Sequence, residues 1–270
     1  MISYQEASRK ASKEIDKFDS ELLLAFVLKK SREKIFSEGD KKMSSEEEKI
    51  FNKLVFKRSG GYPLAYIVGK KNFWKGEFKV NEHVLVPRPE TEILVEEILK
   101  ENLIGKKILE LGTGSGNIAI SIASELENLS IYATDKSIEA LIVARENSLK
   151  NNSKNIIFIN HDWKDEWLFP EMDFIISNPP YVNKQEINKD EDGIWFEPEN
   201  ALFSSDNGFF DVELIIKKSY FFLKTGGKLF LEHAPNQKVS IEKLIDSLNF
   251  DSIEFIKDLN ETIRFSILKK

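Results

Sequence analysis

Two stretches of this chain combine residue types that can do chemistry. The first is Asn178-Pro179-Pro180-Tyr181, at the end of the apolar run Asp173–Ser177. Proline has no amide hydrogen, so a strand ladder must stop here and the turn that follows is stiff. Asn178 is therefore expected at the C-terminal end of a central strand, facing the crevice where open α/β sheets bind ligands. A planar NH2, in a carboxamide or an aromatic amine, is a poor nucleophile because its lone pair is delocalised. The Asn178 side-chain oxygen and the Pro179 carbonyl can each accept one N–H of such a group, and Tyr181 can pack on its plane. Two fixed acceptors orient the nitrogen and stabilise the charge it develops on attacking an electrophile, without a strong base. An ordinary Asn-Pro turn leaves the tyrosine unexplained.

The second stretch is Gly112-Thr113-Gly114-Ser115-Gly116, between the strand Lys107–Leu111 and a helix near 116–127. Glycines at a strand-to-helix turn let a ligand reach bare backbone at a helix N-terminus, where amides and the helix dipole favour an anion. Asn117 stands where the dinucleotide fingerprint needs its third glycine, and no Gly-Lys-Ser/Thr follows, so nicotinamide and Walker-type readings are disfavoured. Asp135 ends the next strand and can accept from both hydroxyls of a ribose; an N-cap of the following helix is the other reading. After the third strand, Trp163 can cover an adenine face and Asp162 can accept from its amine; a core or lid role for Trp163 stands beside that. Carboxylate, ribose, adenine and an electrophilic methyl together describe S-adenosylmethionine, placed opposite the nitrogen held by Asn178.

These groups need elements to position them. Candidate strands are Lys107–Leu111, Ser130–Thr134, Ile156–Asn160, Phe174–Ser177, Lys228–Glu232, Ser252–Ile256 and Ile263–Leu268, with helices near 116–127, 137–151, 208–223 and 237–248. Short apolar strands alternating with helices predict an α/β fold with a seven-stranded parallel sheet covered on both faces. Phe73, Phe78, Val80, Val84 and Val86 alternate with polar residues around Gly76 and Asn81, as in a β-hairpin. Pro89-Glu90-Thr91-Glu92 opens a helix to about Lys100. The first 60 or so residues read as a small helical bundle. Asp19 or Ser20 is the expected N-cap of one helix, and Ser44 with Glu47 forms a capping box for another with Ile50, Leu54 and Phe51 on its inner face. Expected divisions are a helical domain at 1–70, a hairpin linker at 71–90 and a catalytic domain at 91–270.

Composition narrows the function. The 270 residues contain no cysteine, which excludes disulfides, thiolate metal sites and cysteine nucleophiles. His83, His161 and His233 lie too far apart for a local metal motif, so no metal is expected. The net charge is −6, with +4 over residues 1–70 and −10 over the rest; the acidic balance argues against stable nucleic-acid binding. The longest apolar run, Leu22–Leu28, falls well short of the ~20 residues of a membrane helix, and no apolar signal core opens the chain, so a cytoplasmic protein without membrane attachment is expected.

The combination resembles the class I S-adenosylmethionine-dependent methyltransferases, and most closely the release-factor glutamine methyltransferase family (PrmC/HemK). The resemblance runs through Pro63–Ile67, Lys71–Trp74, Val84–Glu92 (VLVPRPETE), Leu109–Gly116, Ala133–Asp135, Ala140–Asn147, Asp173–Val182, Glu197–Leu202 and Leu223–Glu232. It implies a Rossmann-like sheet and methylation of the glutamine in the Gly-Gly-Gln tripeptide of peptide chain release factors. It implies a cofactor site at Gly112, Thr113, Gly114, Ser115, Gly116, Asp135, Trp163 and Asn178, to which the residue reading adds Asp162, and a glutamine site at Asn178, Pro179, Pro180 and Tyr181. The N-terminal helices are implied to help grip the release factor. Arg88, Glu90 and Glu92 resemble the family's segment beside the active site; a salt-linked interdomain hinge is the other reading. His233-Ala234 and Ser204-Ser205 depart from the family pattern, and His233 is a candidate site or turn residue. An adenine amino-methyltransferase of DNA or RNA is the rival enzyme, since the same acceptors suit a flipped base. A non-catalytic binding module is a third reading.

Overall fold

Residues 1–126, 128–187 and 193–270 are described in a computed structural model of the chain. They divide into two units, residues 1–69 with the turn ending at Phe196, and the remainder from Lys70 onward.

The first unit holds five helices: α1 (Tyr4–Ala11), α2 (Lys17–Leu28), α3 (Arg32–Ser37), α4 (Ser45–Ser59) and α5 (Leu64–Val68). Ser3, Asp16, Ser31 and Ser44 cap the first four through side-chain oxygens that accept backbone amides, and Ser44 and Glu47 complete the expected capping box. The cap of α2 is Asp16, not Asp19 or Ser20. Asp19 instead pairs with Arg58 at 2.6 Å, and Ser20 is buried. On α4 the inner face is Phe51 and Val55, while Ile50 is exposed. Leu23, Leu24, Met43 and Phe51 form the core of this bundle.

The second unit opens with the antiparallel hairpin β1 (Lys70–Phe73) and β2 (Gly76–Lys79). Val84 and Val86 are buried but lie in an irregular segment beyond it. A 3-10 turn at Pro89–Thr91 leads into α6 (Glu92–Leu99). Then follow β3 (Lys107–Leu111), α7 (Asn117–Glu125), β4 (Ser130–Asp135), α8 (Ile138–Lys150), β5 (Ile156–Asn160) and β6 (Met172–Ser177). Glu127, the last residue of the helix expected near 116–127, lies outside the described residues. The chain continues with α9 (Glu199–Leu202), α10 (Phe210–Phe222), β7 (Leu223–Glu232), α11 (Lys238–Leu248), β8 (Ser252–Lys257) and β9 (Ile263–Lys269). The seven strands order as β5-β4-β3-β6-β7-β9-β8. The sheet is not wholly parallel, because β9 runs antiparallel to both β7 and β8. The segment between β8 and β9 is too short for the dozen or so residues a parallel crossover requires.

Alternate residues of the buried strands feed two cores. Ile108, Phe174 and Phe230 pack on one face with Leu94 and Ile120. Leu109, Ile175 and Leu229 pack on the other with Val212, Ile216 and Ile245. The strand order reverses between β3 and β6, the position where open α/β sheets bind ligands at their carboxyl ends. Leu111, Asp135, Ser177 and Glu232 are the terminal residues of β3, β4, β6 and β7. No helix among the described residues is long and apolar enough to cross a membrane.

Candidate active site

A cleft of about 750 Å³, counted out to open solvent, lies over the carboxyl ends of these strands. Its lining includes Gly112, Thr113, Gly114, Ser115, Asp135, Trp163, Asn178 and Pro180. The two motifs, far apart in sequence, therefore share one cavity. A second cavity of about 300 Å³ is lined by Asn178, Pro179, Tyr181 and Glu232, and it shares Leu85, Arg88, Asn178 and Ala201 with the first. Asn178 stands at the boundary between the two.

The glycine loop is built for close approach. Gly112 has φ +73°, and a Cβ there would lie 3.0 Å from the Trp163 ring. Gly116 has φ +80° and caps α7; a Cβ there would meet Ile120 at 2.8 Å and Ala144 at 3.2 Å. Buried Asn147 donates to the Ser115 carbonyl at 2.8 Å and exchanges hydrogen bonds with the backbone of Lys79, which ties the loop to β2. Asp135 Oδ2 accepts from the Gly114 amide and Oδ1 from the Ser137 amide, both at 2.9 Å. Each oxygen keeps a second lone pair. Asp135 does not cap α8: that role falls to Ser137, whose hydroxyl accepts from Ala140. Burial lifts the Asp135 carboxyl above the ordinary aspartate value, while the Ser137 and Gly114 amides hold it back.

Trp163 is both core and cleft. It is buried, its indole N–H donates to Asp211 at 2.9 Å, and its ring lines the cavity beside Gly112. Asp162 is not among the cleft-lining residues, and its Oδ1 accepts from the Lys164 amide. His233 is fully buried, with Nδ1 2.9 Å from the Ala234 carbonyl, and lines neither cavity.

Arg88 pairs at 2.6 Å with buried Glu197, which also accepts from the Val86 amide at 2.9 Å. Glu92 accepts from the Trp74 amide. Both contacts lie within the unit that carries the cleft, where Arg88 and Glu92 brace the segment around the Pro89 turn.

Three site groups, Glu110, Thr91 and Glu232, fall inside the segments that carry the resemblance, yet nothing in their local sequence assigns them a role. Glu110 is 1% exposed, and Thr113 donates to its Oε2 at 2.6 Å, while Oε1 has no partner among the described residues. Thr91 and Glu232 are also buried, and Thr91 donates to Glu232 Oε2 at 2.7 Å. Tyr181 donates to Glu232 Oε1 at 2.9 Å, and Asn178 Nδ2 donates to Thr91 Oγ1 at 3.2 Å. The available signal is an acid at or near the buried, apolar end of a strand, which requires a partner or a purpose. Burial pushes both Glu110 and Glu232 up to about 7. It also raises the Tyr181 hydroxyl, and the adjacent Glu232 adds to the effect.

The sign of the Glu110 effect on stability follows from linkage. In the unfolded chain its pKa is the ordinary glutamate value of 4.5, and in the fold it is about 7. The folded state therefore binds more protons between these values, so the favourable contribution present at low pH is lost as pH rises through them. Glu110→Gln is expected to reduce the drop in unfolding free energy between pH 5 and pH 8 by about 2–3 kcal/mol, at roughly 1.4 kcal/mol per pKa unit. Urea melts at the two pH values check this; parallel losses in wild type and variant contradict it.

The cavity fits S-adenosylmethionine in its donor set. The orphaned Glu110 oxygen suits a cationic ammonium, the free lone pairs of Asp135 suit ribose hydroxyls, and Trp163 offers an aromatic face. Comparison with known proteins agrees. Residues 4–69 match the family model "PrmC N-terminal domain", and residues 89–193 match "Methyltransferase small domain". A release factor glutamine methyltransferase of Buchnera aphidicola subsp. Acyrthosiphon pisum is 43% identical over 255 residues, covering 94% of this chain and 92% of the relative. The chain belongs to the release factor glutamine methyltransferase family. Members from Shewanella oneidensis and Coxiella burnetii are each 35% identical, covering 96% and 100% of this chain and 91% and 100% of theirs. Among solved structures, a methyltransferase from Pyrococcus furiosus superposes with TM-score 0.54 at 21% identity, over 72% of this chain and 88% of its own. The tRNA (m1A58) methyltransferase TrmI from Aquifex aeolicus gives 0.50 at 18%, over 72% of each chain. These two establish the class I methyltransferase fold, as the family resemblance implied. The mostly parallel seven-stranded sheet is the one the strand pattern predicts, with β9 the exception.

Proposed function

We propose that this chain transfers a methyl group from S-adenosylmethionine to the side-chain amide nitrogen of the glutamine in the Gly-Gly-Gln motif of peptide chain release factors. The carrying observation is the position of Asn178 on the wall shared by the cofactor-sized cleft and the smaller cavity lined by Pro179 and Tyr181. S-adenosylmethionine supplies the methyl as a sulfonium electrophile. Gly112 to Gly116 cradle its amino-acid end, with Glu110 facing the ammonium. Asp135 takes the ribose, and Trp163 flanks the adenine, whereas Asp162, expected there from the sequence, lies outside the cleft lining.

Asn178 Oδ1 and the Pro179 carbonyl accept the two N–H bonds of the glutamine amide. That grip fixes the amide plane and offsets the positive charge that grows on nitrogen. Tyr181, anchored by Glu232, packs against the plane, and Pro180 stiffens the turn. The nitrogen takes the methyl as the methyl–sulfur bond breaks, the neutral thioether S-adenosylhomocysteine is left, and one proton passes from the nitrogen to solvent.

Residues 1–70 act in this reading as the substrate-recognition domain, 71–90 as a hairpin linker and 91–270 as the methyltransferase domain. Their net +4 suits the first 70 residues to an acidic protein surface. The setting is cytoplasmic, without stable nucleic-acid or membrane association.

Incubation with methyl-labelled S-adenosylmethionine and either a purified release factor or duplex DNA tests the function. Mass mapping is expected to place the label on the Gly-Gly-Gln glutamine alone. Label on adenine, with none on the protein, contradicts the proposal.

A further inference from the structure

Asn178 can grip an NH2 group only if its carboxamide presents oxygen. Flipped, it presents a second NH2, and donor meets donor. What fixes the flip is a buried chain of hydrogen bonds. Glu232 ends β7 beside the end of β6, where Ser177 pairs with Leu231 in the register. Ionised, above the value of about 7 to which burial lifts it, the Glu232 carboxylate only accepts. Its two oxygens receive the hydroxyl protons of Thr91, at 2.7 Å, and Tyr181, at 2.9 Å. Thr91 is held in the turn after Pro89, where its amide donates to the Arg88 carbonyl at 3.1 Å. Having given its only proton to Glu232, the Thr91 oxygen can only accept. Asn178 lies 3.2 Å away and meets it with Nδ2. Among the described residues no donor reaches Asn178 Oδ1.

We propose that Thr91 and Glu232 are positioning residues for the methyl transfer, a polarity lock that sets the Asn178 carboxamide with its oxygen toward the target amide. Neither needs to touch the reacting atoms. Glu232 dictates the direction of the Thr91 hydroxyl, and Thr91 dictates the orientation of Asn178. The same carboxylate holds the Tyr181 hydroxyl, so one buried acid orders both side chains of the substrate-facing turn. The inference rests on the function proposed above and deepens it.

The test uses the full chain with a purified release factor. Thr91→Val keeps the volume and removes the acceptor; Thr91→Ser keeps the hydroxyl. Thr91→Val is expected to lower kcat about 10- to 100-fold, the range for losing a partner that orients a working ligand. S-adenosylmethionine affinity by calorimetry is expected to fall far less than kcat, although Thr91 lines the cleft, and Thr91→Ser is expected to restore most of kcat. In an Asn178→Ala background, Thr91→Val is expected to cost nothing further, because no carboxamide remains to orient. Full kcat in Thr91→Val, or an equal loss in the Asn178→Ala background, overturns the lock.

Where Thr91→Val melts out, the wild type still decides. Its Asn178 side-chain amide, assigned by its disappearance in Asn178→Asp, is expected to hold one slowly exchanging proton. Two rapidly exchanging protons overturn the inference. A wild type that leaves the release factor unmethylated contradicts the underlying function; a normal wild type with a normal Thr91→Val contradicts the inference alone.

Discussion

Asn178→Ala is expected to lower kcat on a release factor by on the order of 10²–10³-fold, the scale found for removing one positioned polar group from a charge-stabilising site. The affinity for S-adenosylmethionine is expected to remain nearly intact, because the rest of the cleft lining, with Glu110, the glycine loop, Asp135 and Trp163, is unaltered. The stem of the turn survives the change: Ser177 still donates to the Leu111 carbonyl at 2.9 Å, and the Tyr181 hydroxyl stays on Glu232. Single-turnover kinetics with saturating cofactor separate the chemical step from binding. Near-normal turnover would remove Asn178 from the mechanism.

The second large effect is on the cofactor. Asp135→Ala is expected to weaken S-adenosylmethionine by about 10- to 100-fold in Kd, the loss of roughly 1.5–3 kcal/mol of charge-assisted hydrogen bonds. Two causes combine. In the proposed binding mode the ribose loses its acceptors, and the Gly114 amide loses its hydrogen bond to Asp135. Asp135→Asn keeps one carbonyl acceptor, so calorimetry is expected to place it between wild type and Ala. Unchanged affinity in the Ala variant would reduce Asp135 to a structural clamp.

Much of this site was legible because its chemistry is compressed into short covalent spacings. The run from Asn178 to Tyr181 announces a strand end, since two prolines cannot continue a ladder. Gly112 to Gly116 announce a strand-to-helix turn for the same local reason. What stayed hidden depends on burial and on partners distant in sequence. Glu232 and Thr91 are 141 positions apart and meet only because β7 lies beside β6 and the turn after Pro89 packs over their ends. Glu197 was read as part of a resemblance, yet its work is to hold Arg88 and the Val86 amide, 109 and 111 positions away.

The fold followed the same pattern. The strand and helix positions came through because buried strands and amphipathic helices differ in period. The direction of β9 did not, because the alternation of strand and helix was extrapolated past α11, although Asp258–Thr262 leaves room only for a hairpin. Asp16, Asp19 and Ser20 are all good caps in sequence, and only tertiary and local partners separate them: Asp19 pairs with Arg58, and Ser20 donates to the Lys17 carbonyl.

The most direct test is a structure of the protein with S-adenosylhomocysteine and a peptide containing Gly-Gly-Gln. The glutamine amide nitrogen is expected to lie within ~3 Å of both Asn178 Oδ1 and the Pro179 carbonyl, the length of an ordinary N–H···O bond. The sulfur is expected on the open face of that nitrogen, with Asn178 Nδ2 still on Thr91. A glutamine amide bound elsewhere, or an Asn178 presenting its NH2 to the peptide, would contradict the account.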